Sequence, residues 1–194
     1  MNKLSLTVLI AFVVVLAGCA APPKQLTRDE WLNATTRTYP GASKDQVLAA
    51  SEKLLRLADG DDFDIRHTES GINATRAWIA YAVIVGVSGT DYWDIRADQI
   101  GDGVKVSVQV STQTQSTSPM QMGATWMPVN SATPGTPAHG VAIYDVFFSR
   151  LDYLLGKGGK WMTCKEADER VKTNATWGNN EALCNSFNVT DSHP

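Results

Sequence analysis

The stretch DYWDIRADQIGDGVKVSVQVS, residues 91–111, decides the fold class of this chain. Apolar and polar residues alternate on both sides of Gly101-Asp102-Gly103, a tripeptide that favours a tight hairpin turn. Alternation with a period of two indicates strands that are buried on one face only. We therefore predict two antiparallel strands, whose inward side chains are Trp93, Ile95, Ala97, Val104, Val106, Val108 and Val110.

Two further strands are predicted upstream of this hairpin. Residues 62–67 also alternate, and Ser70-Gly71 favours a turn into the next segment. Residues 76–87 are almost continuously apolar and rich in β-branched and aromatic side chains. Such a run is typical of a central strand covered on both faces, or of a strand that is covered on one face and exposes an apolar patch on the other. The four strands together predict an antiparallel meander.

Helical patterns flank the predicted strands. Ser43-Lys44-Asp45-Gln46 has the S-x-x-Q form of a capping box, and apolar residues follow at helical spacing as far as the stop signal Gly60. Residues 141–155 carry an apolar stripe in steps of three and four that ends at Gly156, and a short helix is expected over residues 165–172. The predicted class is α+β: a helix, a four-stranded antiparallel meander, and a long helix packed on one face of the sheet.

The N-terminal residues have the layout of a secretory signal. Lys3 precedes an apolar run over residues 4–16, and the small residues Ala17 and Gly18 stand in front of Cys19. A membrane-crossing helix needs about 20 apolar residues, so this run is too short for a permanent transmembrane anchor. We predict that residues 1–18 are a signal peptide for export.

The sequence Leu16-Ala17-Gly18-Cys19 resembles the lipobox of bacterial lipoproteins. The resemblance implies that Cys19 is joined to diacylglycerol, becomes the mature N-terminus and is acylated again, which anchors the chain stably because it carries more than one acyl chain. Ala20 stands where lipoproteins of the inner membrane often carry Asp. The resemblance therefore implies the outer membrane, with the chain facing the periplasm. Residues 19–37 contain prolines and little periodicity, and are predicted to be the lipidated N-terminus and a flexible tether.

The cysteine count agrees with this interpretation. If lipid occupies Cys19, Cys164 and Cys184 remain as an even pair in an oxidising compartment, where a disulfide is the default. The alternative, a redox or metal pair, usually has closer spacing, such as C-x-x-C, or nearby histidines, and the sequence has neither. We predict a globular domain over residues 38–156, followed by a C-terminal segment, residues 157–194, that this disulfide staples.

Composition excludes several classes of protein. Hydrophobic residues make up 43% of the 194 residues and charged residues 19%, which indicates one packed domain rather than a disordered chain. The net charge is −3. A nucleic-acid partner usually requires a concentrated basic face, so we expect none.

We expect no enzymatic activity and no cofactor, because the sequence shows no catalytic or metal-binding constellation. His67, His139 and His193 have no partner at ligand spacing, and the motifs of zinc proteases, serine hydrolases and phosphate-binding loops are missing. The strand position of His67 favours a structural role over that of a base. An acidic series could suggest calcium, but the alternation predicts a solvated strand face partly balanced by Arg96; the series is Asp91, Asp94, Asp98 and Asp102.

Residues 111–139 are rich in Ser, Thr, Gln, Pro and Gly without a dependable period, which predicts a long functional or disordered loop. Met120, Met122 and Met127 lie near Trp126 within it. Thioethers, with His139 nearby, suit soft metal ions such as Cu(I), but an apolar loop tip that contacts a partner or the core explains the same residues without a metal. We favour the second interpretation, since Met and Trp suit adaptable contact surfaces.

The element order over residues 38–155 resembles the helix-and-meander, BamC-like domains of small envelope lipoproteins. This resemblance implies a fold and carries no function by itself. Two functions are expected from the sequence. The first is an accessory or assembly subunit of a cell-envelope complex, anchored by lipid and binding an envelope protein. The alternative is a carrier of a small ligand or lipid in an apolar pocket between helix and sheet, lined by aromatics such as Trp78, Tyr81 and Trp93.

Overall fold

A computed structural model describes residues 25–82, 85–122, 125–137 and 140–184. The helices are α1 (Arg28–Thr35), α2 (Lys44–Asp59), α3 (Ala142–Leu154) and α4 (Cys164–Lys172). The strands are β1 (Thr36–Pro40), β2 (Phe63–His67), β3 (Gly71–Ala82), β4 (Val85–Ile100), β5 (Gly103–Met122) and β6 (Thr125–Pro137). The predicted α+β class is confirmed.

The strands form one six-stranded antiparallel sheet with the order β1-β5-β4-β3-β2, and β6 also pairs with β5. Strands β2 to β5 form the predicted meander, and the predicted turns at Ser70-Gly71 and Gly101-Asp102 connect β2 to β3 and β4 to β5. The prediction of one strand over residues 76–87 was wrong, since β3 ends at Ala82 and β4 begins at Val85 within that range. One side of β5 has two successive partners: β1 pairs with residues 103–107, and β6 pairs with residues 111–122. Between these two ladders, the Val110 amide donates to the Tyr144 hydroxyl at 3.2 Å. A side chain from α3 thus satisfies a backbone group in the gap.

Local sequence signals set the limits of α2. The Ser43 hydroxyl accepts a hydrogen bond from the Gln46 amide, and the Gln46 side chain accepts one from the Ser43 amide, which completes the predicted capping box. The helix ends at Gly60, whose φ is +53°, a value that L side chains rarely adopt. The predicted helix start and stop are therefore both confirmed.

Helices α2 and α3 cover one face of the sheet, and the core lies between these two layers. The predicted inward side chains of β4 and β5, from Trp93 to Val110, are all 2% exposed or less. Aromatic rings extend the core from the sheet into α3: Trp93 lies 5.9 Å from Phe147, which lies 5.4 Å from Phe148, between ring centroids. The opposite face carries polar side chains such as Lys105 and Gln109. Such a two-layer arrangement needs amphipathic elements, which the alternation supplies.

The prediction of a flexible tether as far as residue 37 was wrong for its C-terminal half. Thr27 caps α1 through a capping box, and β1 pairs with β5. Trp31 packs edge-on against Tyr144 with ring centroids 5.5 Å apart, and Asp152 of α3 accepts hydrogen bonds from Arg37 and Tyr39. These contacts with residues more than a hundred positions away hold α1 and β1 on the domain, and residue spacing along the chain does not reveal them.

The prediction of a long loop over residues 111–139 was also wrong. Strand β5 continues to Met122, and β6 returns antiparallel from Thr125 to Pro137, with one register irregularity between Thr112 and Thr114. The described side chains of residues 111–115 are all at least partly exposed. A strand segment that is exposed on both faces needs no apolar alternation, so residues 111–115 lack the period that would identify a strand.

The C-terminal segment is an integral part of the domain as far as residue 184. Met162, Ala167 and Leu183 belong to the same buried cluster as the residues between the helices and the sheet. The Trp177 carbonyl accepts hydrogen bonds from the amides of Val141 and Ala142 at 2.8 and 3.0 Å. It thereby satisfies donors at the start of α3, a helix whose N-cap residue makes no side-chain hydrogen bond.

Candidate functional site

The sheet continues beyond the part that the helices cover, and we call this continuation the sheet extension. It comprises residues 77–82 of β3, 85–90 of β4 and 113–122 of β5, together with β6. At about 3.3 Å per residue, its β5 portion is about 30 Å long. Every described side chain of the extension is at least partly exposed. The extension therefore offers a sheet surface and backbone edges to the surroundings.

The two outer edges of the sheet extension differ in chemistry. On the β3 side, β2 pairs only as far as Arg76, and none of the described strands pairs with the outer edge of residues 77–82. The six residues of that edge, AWIAYA, include no charge and no proline. Strand β6 forms the other edge and contains Pro128, Pro134 and Pro137, each of which lacks an N–H to donate. Prolines and charges are the usual protection of an edge strand, and the β3 edge has neither.

Apolar side chains are exposed along the β3 edge. Ile79 is 61% exposed and lies opposite Ser88 of β4, on the face of the sheet that the helices do not cover. Trp78 points to the other face, half-buried, and its indole lies over Gly89 of β4. Neither of the two arrangements predicted for residues 76–87 is observed directly beyond Arg76, because residues 77–80 are at least partly exposed on both faces of the sheet.

A buried ionic cluster lies where the sheet extension leaves the helix-covered body. The Arg76 guanidinium contacts the carboxylates of Asp59, the last residue of α2, and Asp91 of β4. All three side chains are 6% exposed or less. Asp91 also accepts hydrogen bonds from Thr112 at 2.8 Å and from the Trp78 indole at 3.3 Å. The cluster thus links α2 to three neighbouring strands at one level of the sheet.

Burial raises the pKa of the Asp91 carboxyl, since desolvation disfavours the charged form, and the hydrogen bonds from Thr112, Arg76 and Trp78 offset only part of this effect. A carboxylate at the end of a helix, as at Asp59, is also unfavourable beside the helix dipole unless a cation accompanies it, and Arg76 provides that cation. Charges buried in this way require their partners, since removing one leaves another uncompensated. The cluster is therefore suited to holding the base of the extension in one orientation.

Sequence reasoning missed this cluster. Asp91 was grouped with Asp94 and Asp98 as part of an acidic series, yet it lies on the buried face, whereas Asp94 pairs with Arg96 at 2.7 Å on the exposed face as expected. The available signal was Arg76, a single charge at the start of an apolar strand. A charge in that position requires a buried partner, although the sequence does not identify which one.

The four predicted partner-binding residues lie at the tip of the sheet extension. Met120 is the register partner of Met127, and Gln121 that of Trp126, while Met122 is the last residue of β5. The backbone thus brings all four to the end of the β5/β6 hairpin. Their side chains lie outside the described part of the structure, so their role in binding stays a prediction.

The predicted Cys164–Cys184 disulfide is present, with its Cα atoms 5.3 Å apart. Cys19 and the whole lipobox lie outside the described residues. None of the helices in the described part of the chain has the length and hydropathy that a membrane crossing requires.

His67 lies on β2 and pairs with Glu52 of α2, with Nε2 and Oε2 2.9 Å apart. Burial alone would raise the pKa of Glu52, but hydrogen bonds from Arg56 and His67 outweigh it and lower that pKa. His139 and His193 lie outside the described residues. Within residues 25–82, 85–122, 125–137 and 140–184, no three His, Cys, Asp or Glu residues come together in a way that could hold a metal ion.

The aromatics proposed for a ligand pocket do not share one site. Trp93 is 2% exposed and packs between Phe63 and Phe147 in the core, whereas Trp78 lies on the sheet extension. The side chain of Tyr81 lies outside the described part of the structure. The carrier hypothesis gains no support from this arrangement and stays a prediction of the sequence.

Comparison with known proteins gives no indication of a function for this chain. No model of a protein family matches the sequence, and searches of curated proteins and of solved structures find none that is significantly similar. The resemblances to the lipobox and to BamC-like domains therefore stay predictions.

Proposed function

We propose that this chain is a lipid-anchored, periplasm-facing accessory or assembly subunit of a cell-envelope complex, and that it binds a protein partner through the sheet extension. The observation that carries the proposal is the outer edge of β3 over residues 77–82. It presents backbone groups and apolar side chains together, without the charges or prolines that normally protect an edge.

The expected mode of binding is strand addition. An extended segment of the partner lies antiparallel or parallel to residues 77–82 and completes the hydrogen bonds that β2 makes with β3 as far as Arg76. Backbone bonds of this kind provide affinity, and side-chain contacts provide specificity. Ile79 supplies the main apolar contact, since complete burial of an isoleucine side chain contributes about 1.5 to 3 kcal/mol. An apolar segment with β-branched side chains fits this edge best.

The cluster of Asp59, Arg76 and Asp91 supports binding indirectly. It lies directly before the free edge begins at Ala77, and it joins β3 and β4 to the end of α2. An edge whose base is rigid loses less conformational entropy when a strand docks on it. The anchor proposed at Cys19 would confine this edge to the periplasmic side of the membrane, where envelope proteins that can serve as partners have a high local concentration.

Site-specific crosslinking in intact cells tests the proposal. A photoreactive amino acid replaces Ile79 in one variant and Ile100 in another, and covalent products are identified by mass spectrometry. Ile100 is a matched control, because it is also an exposed strand isoleucine, 50% exposed, but lies at the opposite end of β4 from the extension. We expect adducts with an envelope protein from position 79 and none from position 100.

Substitution at the same two positions gives an independent readout. Ile79→Lys should abolish recovery of the partner, and Ile100→Lys should leave it intact, while both variants keep the unfolding midpoint of the parent. Equal crosslinking at both positions, adducts made only of two copies of this chain, or monomer alone would contradict the proposal.

A further inference from the structure

The buried side chain of Arg150 lies against the Cys164–Cys184 disulfide. Arg150 belongs to α3 and is 1% exposed. Its Nη2 lies 3.2 Å from the Cys164 sulfur and 3.5 Å from the Cys184 sulfur. Other nitrogens of the guanidinium hold its position: Nε donates to the Met162 carbonyl at 2.9 Å and Nη1 to the Leu183 carbonyl at 3.1 Å. The indole of Trp161 lies 4.7 Å below the guanidinium carbon.

This position of the guanidinium favours the reduced form of the cysteine pair. A disulfide sulfur is neutral and a weak acceptor, whereas a thiolate is an anion and a strong acceptor for the same N–H. A fixed cation close to both sulfurs therefore lowers the free energy of either thiolate more than that of the disulfide. Cys164 is also the first residue of α4, where the helix dipole adds to this effect.

We propose that Cys164 and Cys184 form a thiol–disulfide exchange site that reacts with a dithiol reductant, with Arg150 stabilising the thiolates released. A thiolate of the reductant attacks the sulfur of Cys164, the more exposed of the two residues. The S–S bond breaks, and Cys184 leaves as a thiolate beside Arg150. The second thiol of the reductant then attacks the reductant's first sulfur, which is bonded to Cys164 in the mixed disulfide, and Cys164 leaves as a thiolate. The reductant ends as a disulfide, and its two protons go to the protein thiolates or to water.

The cysteine pair is covalently connected to the segment that caps α3. Residues 173–183 lie between α4 and Cys184, and they include Trp177, whose carbonyl accepts hydrogen bonds from the first amides of α3. The backbone of Gly140 pairs with Gly178 in the same region. Reduction removes the covalent constraint on this segment. The proposed exchange is independent of the sheet extension, so either proposal stands if the other fails.

The reactivity of the reduced, folded full-length protein in detergent tests the proposal. Iodoacetamide alkylation is followed against pH, and the two sites are separated as tryptic peptides, since Cys164 lies between Lys160 and Lys165 and Cys184 follows Lys172. We expect the Cys164 profile to have its midpoint at least about one pH unit below that of the same thiol in the denatured chain. Midpoints are compared rather than rates because a midpoint does not depend on access to the thiol. Identical midpoints in the folded and denatured chains would overturn the proposal.

Substitution of Arg150 gives a second measurement. Arg150→Gln removes the charge and should lower the ratio of reduced to oxidised protein in a dithiothreitol redox buffer by about tenfold, the factor that corresponds to one pKa unit. Arg150→Lys keeps the charge and should restore part of the ratio. An unchanged ratio in a folded Arg150→Gln variant would refute the role of Arg150. If that variant does not fold, the alkylation profile of the parent decides.

Discussion

Trp78 and Gly89 are register partners in the β3/β4 ladder, and the indole of Trp78 occupies the space that a side chain at position 89 would need. A β carbon on residue 89 would lie 2.5 Å from the Trp78 ring and 2.6 Å from the Gln113 carbonyl oxygen. A glycine is required here by this close approach, and it allows the large aromatic ring to lie against the backbone of β4. The same indole donates to Asp91, so the ring connects the sheet extension to the buried ionic cluster.

We therefore expect Gly89→Ala to lower the free energy of unfolding by about 1 to 3 kcal/mol, the usual cost of inserting a methyl group into a filled site. Urea unfolding measures the loss. Trp78→Leu in the same chain should recover part of it, because the shorter side chain vacates the space, so the two substitutions should not be additive. Strictly additive losses would show that the ring and residue 89 are not in contact.

Asp91→Asn tests the ionic cluster through its dependence on pH. In the folded protein the pKa of Asp91 is raised above its ordinary value of 3.8, so protonation of this carboxyl favours the folded state. The resulting stabilisation is complete below pH 3.8 and is lost as the pH rises through the folded pKa. The parent should therefore gain stability relative to the variant on going from about pH 7 to about pH 3.5. Urea unfolding of parent and variant at the two pH values measures how much the free energy of unfolding of each changes with pH, and the two changes are compared. A difference of the opposite sign would contradict the arrangement of charges.

Loss of the disulfide should weaken the domain. Cys164→Ser combined with Cys184→Ser opens a loop with a sequence separation of 20 residues and should lower the free energy of unfolding by about 3 kcal/mol, chiefly through the entropy of the unfolded chain. Chemical denaturation of the double variant and of the oxidised parent measures the effect. Reduction of the parent with dithiothreitol should produce a similar loss, which separates the covalent bond from the serine substitutions. An unchanged midpoint would mean that the covalent link adds nothing to stability.

Cys19→Ala tests the proposed anchor. The substitution should abolish labelling by a radioactive fatty acid and release the protein into the soluble periplasmic fraction, because no acyl chain then remains to hold it on the membrane. The double serine variant at Cys164 and Cys184 is the matched control and should stay in the membrane fraction. Intact mass measurement of the mature parent gives a direct check, since an unmodified residue 19 would exclude lipidation.

The parts of the fold that the sequence predicts correctly depend on neighbours along the chain. The alternation over residues 91–111 identifies two strands and their buried side chains, because a strand turns successive residues to opposite faces. The Ser43 capping box and Gly60 locate the two ends of α2 for the same reason, since caps are satisfied within a few residues. The cysteine count, together with the predicted lipidation of Cys19 and the predicted oxidising compartment, was enough to predict the Cys164–Cys184 disulfide.

Tertiary structure alone determined the features on which both proposals depend. Whether residues 77–82 form a free edge depends on where β2 stops pairing, and the β5/β6 hairpin forms through backbone pairing that no apolar alternation in the sequence indicates. The partners of Arg76 lie 15 and 17 residues away in sequence, and those of Arg150 up to 34. A local sequence pattern indicates which face of a helix or strand is buried. It does not identify the partner of a buried charge, because many residues far away in the sequence have a suitable charge or polar group and only the fold brings one of them into contact.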